Sequence, residues 1–241
     1  MLSKTNPHDQ GVARLVEKRM RNWEIARTQR AEESAPQVEA VQDFVTIGNI
    51  VGAGGNEVAA LLADKLKWPV FDRQILTTMA GDDEARARFY RSVDERDLGW
   101  FENMFRALME EAFCKNDYFS RLIETIFFLA RQGPAIFVGR AADLILPKSK
   151  GLRVKLIASP QYCARNFAKR SGATIEHARH EVQRIERERR DFIWNHFQID
   201  AYEPTRFDML INVERFSTRQ VVDLILSALR IRTAAGSYEG R

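Results

Sequence analysis

The sequence predicts an α/β fold, a parallel sheet covered by helices on both faces, and three observations predict it. From residue 43 onward, short apolar runs alternate with stretches of helical periodicity. The runs are β-branched and aromatic, as in FVTI at 44–47 and AIFVG at 135–139, a composition that suits buried strands. A glycine-rich turn, GAGG at 52–55, separates the first such run from the first helical stretch. Strands separated by helices argue for parallel pairing, since parallel neighbours need a crossover connection. Ligands of such sheets bind at the carboxyl ends of the strands.

The elements follow in chain order. Residues 1–42 are an extension, in which GVARLVEKRMRNWEIARTQRAEES (11–34) reads as a helix with Val12, Leu15, Val16, Met20, Trp23 and Ile25 as its apolar positions. It docks on its own domain or on a second subunit, with membrane-surface or nucleic-acid contact as the other reading. After the GAGG turn, Val58, Leu61, Leu62 and Leu66 share a helical face opposite Asp64, Lys65 and Lys67. WPVFD (68–72) is a second strand. A long helical region follows, closing with Phe119, Leu122, Ile123, Ile126, Phe127 and Ala130 on one face, and Gly133-Pro134 stops it.

AIFVG then runs into a short helix, RAADLIL. VKLIA (154–158) is a strand followed by Ser159-Pro160, an N-cap with proline at the first helical position. A charged helix covers roughly 174–197, and DMLINV (208–213) is the last strand. Ser217 and Gln220 have capping-box spacing and open a final helix with Val221, Val222, Ile225 and Leu229 on its face. The domain is expected over 43–232, with a frayed tail at 233–241.

Composition narrows the function classes. At 241 residues, 45% apolar and 29% charged, the chain suits one globular domain with extensions. No apolar run approaches the roughly 18 residues of a membrane span, and the polar start MLSKTNPHDQ lacks the apolar core of a signal peptide. Cys114 and Cys163 form no disulfide framework, so a reduced, cytoplasmic setting is expected and both read as packing residues. A formal charge of +4 and a pI near 9.2 fit an anionic small molecule and nucleic acid alike. His177 and His180 share a helix face at i, i+3, but nothing nearby completes a metal site.

The GAGG turn has two readings. A strand, a glycine turn and a helix N-terminus together make an anion site, because exposed N–H groups and the helix dipole both favour negative charge. An ordinary tight turn uses the same residues. Against the phosphate-loop pattern GxxxxGK[ST], Asn49 stands at the first glycine, Gly55 at the lysine and Asn56 at the magnesium-holding hydroxyl. The backbone cradle survives, and Asn56 retains an amide oxygen for a cation. Arg140, just after a strand, suits either phosphate capture or a salt bridge to a neighbouring helix. Arg187, Arg189 and Arg190 lie within one helical turn, either as a solvated face or as a lid over a triphosphate.

Together these pieces resemble the cytidylate-kinase-like family of P-loop nucleoside monophosphate kinases, over residues 43 to about 230. The resemblance rests on GAGG with VAALLADKL, WPVFDRQIL, VGRAADLIL, RVKLIASPQYCARNFAKRSG, ERERRDFIWNHFQID and FDMLINVERFS, in that order. It implies a three-layer P-loop kinase fold with a five-stranded parallel sheet and a helical lid. It also implies ATP, Mg2+ and a nucleoside monophosphate acceptor, CMP or dCMP foremost; nucleic acid and membrane are not expected partners.

By position, the resemblance puts Gly52, Ala53, Gly54, Gly55, Asn56 and Glu57 at the ATP phosphates, with Asn56 also at the metal. Asp72, Arg73, Arg140 and Asp143 face the acceptor. Arg189, with Arg187 and Arg190, belongs to the lid and carries the catalytic charge. Asn49 and Asn56 stand where many members carry arginines, and Glu186 where aspartate is usual. Two readings of function result: a phosphotransferase acting on CMP, dCMP or a related monophosphate, and a kinase-fold protein that binds nucleotide or anion without turnover. A homo-oligomer through the N-terminal helix is a further expectation.

Overall fold

The computed structural model describes residues 41, 43–81, 117–148 and 150–236. The expected N-terminal helix, Cys114 and the last residues of the tail lie outside the described residues. The elements are β1 (Phe44–Asn49), α1 (Gly55–Leu66), β2 (Val70–Phe71), α2 (Arg73–Gly81), α3 (Asp117–Arg131), β3 (Ala135–Val138) and α4 (Ala142–Ile145). Then come β4 (Gly151–Ile157), α5 (Pro160–Ser171), α6 (Ile175–Phe197), a 3-10 turn at Pro204–Arg206, β5 (Met209–Asn212) and α7 (Thr218–Gly236).

The five strands form one sheet in the order β2-β3-β1-β4-β5, and every pairing is parallel. Successive side chains on a strand point to opposite faces, and here both faces are dry. Phe44 and Phe137 enter one apolar cluster with Leu122, Ile126 and Phe127 of α3. Val45, Ile47, Ile136 and Val138 enter the other, with Val58 and Leu62 of α1 and Val221 and Ile225 of α7. The continuous apolar runs in the sequence have their cause in this double burial.

Element ends differ from expectation for local reasons. β4 begins at Gly151, three residues before the VKLIA run, because Gly151 pairs with Phe44 and leaves room for its ring. A Cβ at Gly151 would lie 1.9 Å from the Phe44 ring. α7 continues to Gly236, into the stretch expected as tail. Two helix starts match the sequence signals closely. Ser159 Oγ accepts the Tyr162 N–H at 3.3 Å. The capping box at α7 closes both ways: Gln220 Oε1 accepts the Ser217 N–H at 2.9 Å and Ser217 Oγ accepts the Gln220 N–H at 3.4 Å.

α5 and α6 form a helical hairpin over the carboxyl edge of the sheet, turned by Gly172 (φ 70°) and capped by Thr174, whose Oγ1 accepts the His177 N–H at 3.3 Å. The far end of α6 is anchored on α3. Phe119 packs against Phe192, His196 and Phe197, with ring centroids 6.1, 4.2 and 5.3 Å away. Among the described residues, no helix is long and apolar enough to cross a membrane.

Candidate phosphate-transfer site

The chain leaves β1 at Asn49 and turns sharply. Ile50 N–H donates to Leu156 O at 3.1 Å, tying the loop to β4, and Ala53 N–H donates back to Ile50 O at 2.9 Å. Gly52 (φ 91°) and Gly54 (φ 77°) take left-handed backbone, which glycine adopts without strain. Gly52 also has no room for a side chain, since a Cβ there would sit 2.4 Å from the Cys163 carbonyl oxygen. Asn166 Nδ2 donates to Gly52 O at 3.1 Å, so α5 grips the loop from behind. Gly54 is the N-cap of α1 and supplies no side-chain acceptor. Among the described residues the N–H groups of the first turn therefore remain free for an anion.

The position of the expected lysine is physically filled. A Cβ at Gly55 would lie 2.6 Å from Asn49 Cγ and Oδ1, and Asn49 is itself fixed, its Nδ2 donating to Ile50 O at 2.9 Å. Two of the three departures from the phosphate-loop pattern, Asn49 and Gly55, are thus one structural fact: the Asn49 side chain stands where a lysine stem at 55 would begin.

A cleft of about 960 Å³ opens in front of the loop, with Gly48, Gly52, Gly55, Asn56, Asp72, Arg73 and Arg140 on one side and Glu186, Arg189 and Arg190 of α6 on the other. A smaller cleft of about 490 Å³ shares Gly52 and continues past Ala53, Gly54, Glu57, Tyr162 and Phe216. Such volumes suit small organic ligands.

α6 touches the loop directly. Glu186 Oε1 accepts the Val51 N–H at 2.9 Å and an Arg189 Nη1 proton at 2.9 Å. Arg189 Nη1 also donates to Asn49 O at 2.8 Å. Tyr202 OH donates to Glu186 Oε2 at 3.0 Å. Burial pushes the Tyr202 phenol up to about 12, and the neighbouring Glu186 charge adds to the shift. The glutamate noted as a departure from the resembled pattern is therefore one of the contacts between α6 and the loop.

The other expected residues fall into three groups. Arg140 projects into the cleft, its Nη2 donating to Thr77 Oγ1 at 2.9 Å, while its Nε is buried with no hydrogen-bond partner among the described residues. Burial lowers its pKa from the ordinary arginine value; Tyr118 opposes this, and the nearby Arg73 and Arg189 charges add to it. Arg73, Asn56 and Arg190 line the same cleft without an ion pair among the described residues.

A second group has structural duties. Asp72 Oδ1 caps α2 by accepting the Gln74 and Ile75 N–H groups at 3.0 Å each. Glu57 pairs with Arg170 at 3.2 Å. Asp143, expected at the acceptor, lies on the cleft wall with its carboxylate bound to Arg206 at 2.6 Å, both side chains only 8% exposed. On that wall the two charges are matched to each other. Third, Arg187 is exposed and lines neither cleft, so α6 brings Arg189 and Arg190 to the loop and leaves Arg187 outside.

Lys155, Tyr202, Asn166, Thr77 and Arg206 complete the site and were not singled out in the sequence. Lys155 had a signal, being a lysine inside the otherwise apolar VKLIA run. It lies opposite Gly48 in the β4–β1 register. Its ammonium sits 5.7 Å from the Tyr202 ring centroid and 5.4 Å from that of Phe207. Burial lowers its pKa from the ordinary lysine value; Glu186 and Asp143 oppose that shift, and Arg206 and Arg189 add to it.

The sequence profile of the cytidylate kinase-like family matches residues 44–215, spanning β1 through the turn after β5. The chain belongs to that family. It is 28% identical over 193 residues to the cytidylate kinase of Archaeoglobus fulgidus, covering 78% of this chain and 95% of the relative. It is 24% identical over 187 residues to the cytidylate kinase of Halobacterium salinarum, covering 77% and 88%. Among solved structures, a protein of uncharacterized function from Eubacterium ventriosum superposes with a TM-score of 0.64 at 19% identity, covering 78% of this chain and 98% of that one. The matched segment contains the glycine turn at 52–55, whose Gly55 has no room for a side chain beside Asn49.

Proposed function

We propose that this family member is a nucleoside monophosphate kinase, moving the γ-phosphoryl group of ATP to CMP, dCMP or a related monophosphate. The observation that carries the reading is the pairing of two anion seats across one cleft. The uncapped amino end of α1 is one. The Arg140 guanidinium is the other, half-buried and with no carboxylate partner among the described residues. A half-buried arginine without a counter-charge carries a desolvation cost, and a phosphate of the acceptor would supply it with a bidentate partner.

The donor's triphosphate would lie on the N–H groups of Gly52, Gly54, Gly55 and Asn56, with its base in the smaller cleft beside Tyr162 and Phe216. The acceptor would lie in the larger cleft against Arg73 and Arg140. Arg189 reaches the loop from the lid and would place its charge at the transferring group, where stabilisation matters most. Magnesium fits the donor set modestly: Asn56 offers an amide oxygen and Asp72 a second carboxylate oxygen on the same cleft wall. Asn56 and Asp72 would hold the ion, which when bound would supply positive charge against the phosphates.

One observation favours a second reading, nucleotide or anion binding without turnover. Glu186 holds the Val51 N–H that a phosphate would take. Pure protein incubated with Mg-ATP and each monophosphate, followed for ADP and diphosphate, separates the two. Turnover with a cytidine monophosphate supports the kinase. Thermal stabilisation by ATP with no turnover on any acceptor supports the binding protein, and neither effect sinks both.

A further inference from the structure

The phosphate loop has no lysine of its own, and the nearby cations are unequally placed to replace it. Arg189 is held by Glu186 and Asn49, Arg206 by Asp143, and Arg170 by Glu57. Lys155 differs. Like Arg73, Arg140 and Arg190 it has no ion pair among the described residues, but it comes from the strand paired with β1 beside the loop. Its ammonium lies near two aromatic rings with no hydrogen bond among the described residues. It reaches that place across Gly48, the residue before the last of β1: a Cβ at Gly48 would crowd the Lys155 Cδ at 3.3 Å. The Lys155 chain thus follows the β1 edge into the cleft that Asn49, Gly52 and Gly55 also line.

We propose that Lys155, from the neighbouring strand β4, is the phosphate-binding cation of this site and replaces the lysine that Asn49 excludes from position 55. This inference rests on the kinase reading for its donor, ATP, but needs only a polyphosphate for its test. An ammonium in a partly dry site without a fixed counter-ion gains more from an anion than a solvated one does. In the same cleft the Glu186 carboxylate sits on the Val51 N–H. A donor phosphate takes over that N–H and the Lys155 charge together.

The experiment compares the full chain with Lys155→Met and Lys155→Arg. Three quantities are read: calorimetric binding of sodium tripolyphosphate, turnover with Mg-ATP and CMP, and melting temperature. Methionine keeps the apolar stem across Gly48 and removes only the charge. The expected result is a loss of tripolyphosphate affinity of about tenfold or more and a fall in kcat of about 100-fold. Lys155→Arg should partly restore both, and the melting temperature of Lys155→Met should hold or rise. Lys155→Met that binds tripolyphosphate like the parent overturns the proposal, as does a parent protein that binds none. If the parent turns over no monophosphate yet binds tripolyphosphate through Lys155, the kinase reading fails and the assignment of Lys155 stands.

Discussion

The Glu186 carboxylate accepts the Val51 N–H at 2.9 Å, across 135 residues of sequence. It joins the lid helix to the phosphate loop through a loop amide of the sort that an anion binds. Two further contacts brace it, from Arg189 and from the Tyr202 phenol. The α6 helix is thereby held on the glycine loop by a carboxylate.

Removing that charge should help the ligand. Glu186→Gln is expected to raise tripolyphosphate affinity roughly tenfold, since the competing and repelling charge disappears. Calorimetry at fixed ionic strength measures it. A fall in affinity would mean that the carboxylate shapes the loop rather than competes for it.

The arginines should separate by position. Arg140→Ala is expected to raise the KM for the monophosphate about 100-fold, because it strips a guanidinium from a buried anion seat. Arg189→Ala should lower kcat by about 100-fold with a smaller effect on KM. Arg187→Ala, on the exposed side of α6, should change neither. Steady-state kinetics of the three variants test the assignment, and equal kinetics in all would remove arginine from the chemistry.

Asp143 should behave as a structural residue. Asp143→Ala leaves Arg206 charged and buried without its partner, a loss of about 3–5 kcal/mol. Urea unfolding should register this, with the monophosphate KM of the remaining folded protein little changed. A large KM effect at parental stability would return Asp143 to the acceptor site.

Cys163 gives a pH signature for the loop's backing. Burial, reinforced by the Glu186 and Glu214 charges, pushes its thiol from the ordinary 9.0 up to about 11. The neutral form is favoured in the folded state. Its contribution to stability is therefore complete below pH 9.0 and is lost as pH rises from there to about 11. At pH 8, alkylation of the Cys163 peptide, followed by mass spectrometry, should be slow in the native protein and fast in urea. Rapid native labelling would show that α5 lifts readily from Gly52.

Much of this architecture is local, and local signals were readable. The strand runs, the Ser159 and Ser217 caps and the glycine turn each arise from periodicity or from one residue's conformational habit. The site was only partly legible. Arg140 and Arg189 could be found because arginine at a strand end and on a lid helix is a recognisable chemical pattern. Lys155 carried only one signal, a charge inside an apolar run, because within a single strand nothing marks which side chain lies against a glycine of the next one. The duties of Asp143 and Glu186 depend on Arg206 and Val51, far away in the chain.

By itself, then, the sequence determined an α/β sheet buried on both faces and an anion-seeking loop without its lysine, because burial pattern and glycine chemistry are written locally. The tertiary structure decided which charges meet at that loop. Residues on a helix are about 100° apart, so Arg187 and Arg189 are separated by roughly 200°, and only the docking of α6 on Phe119 chooses between them. The same packing sets Glu186 on Val51. The register of β4 against β1 lays Lys155 across Gly48.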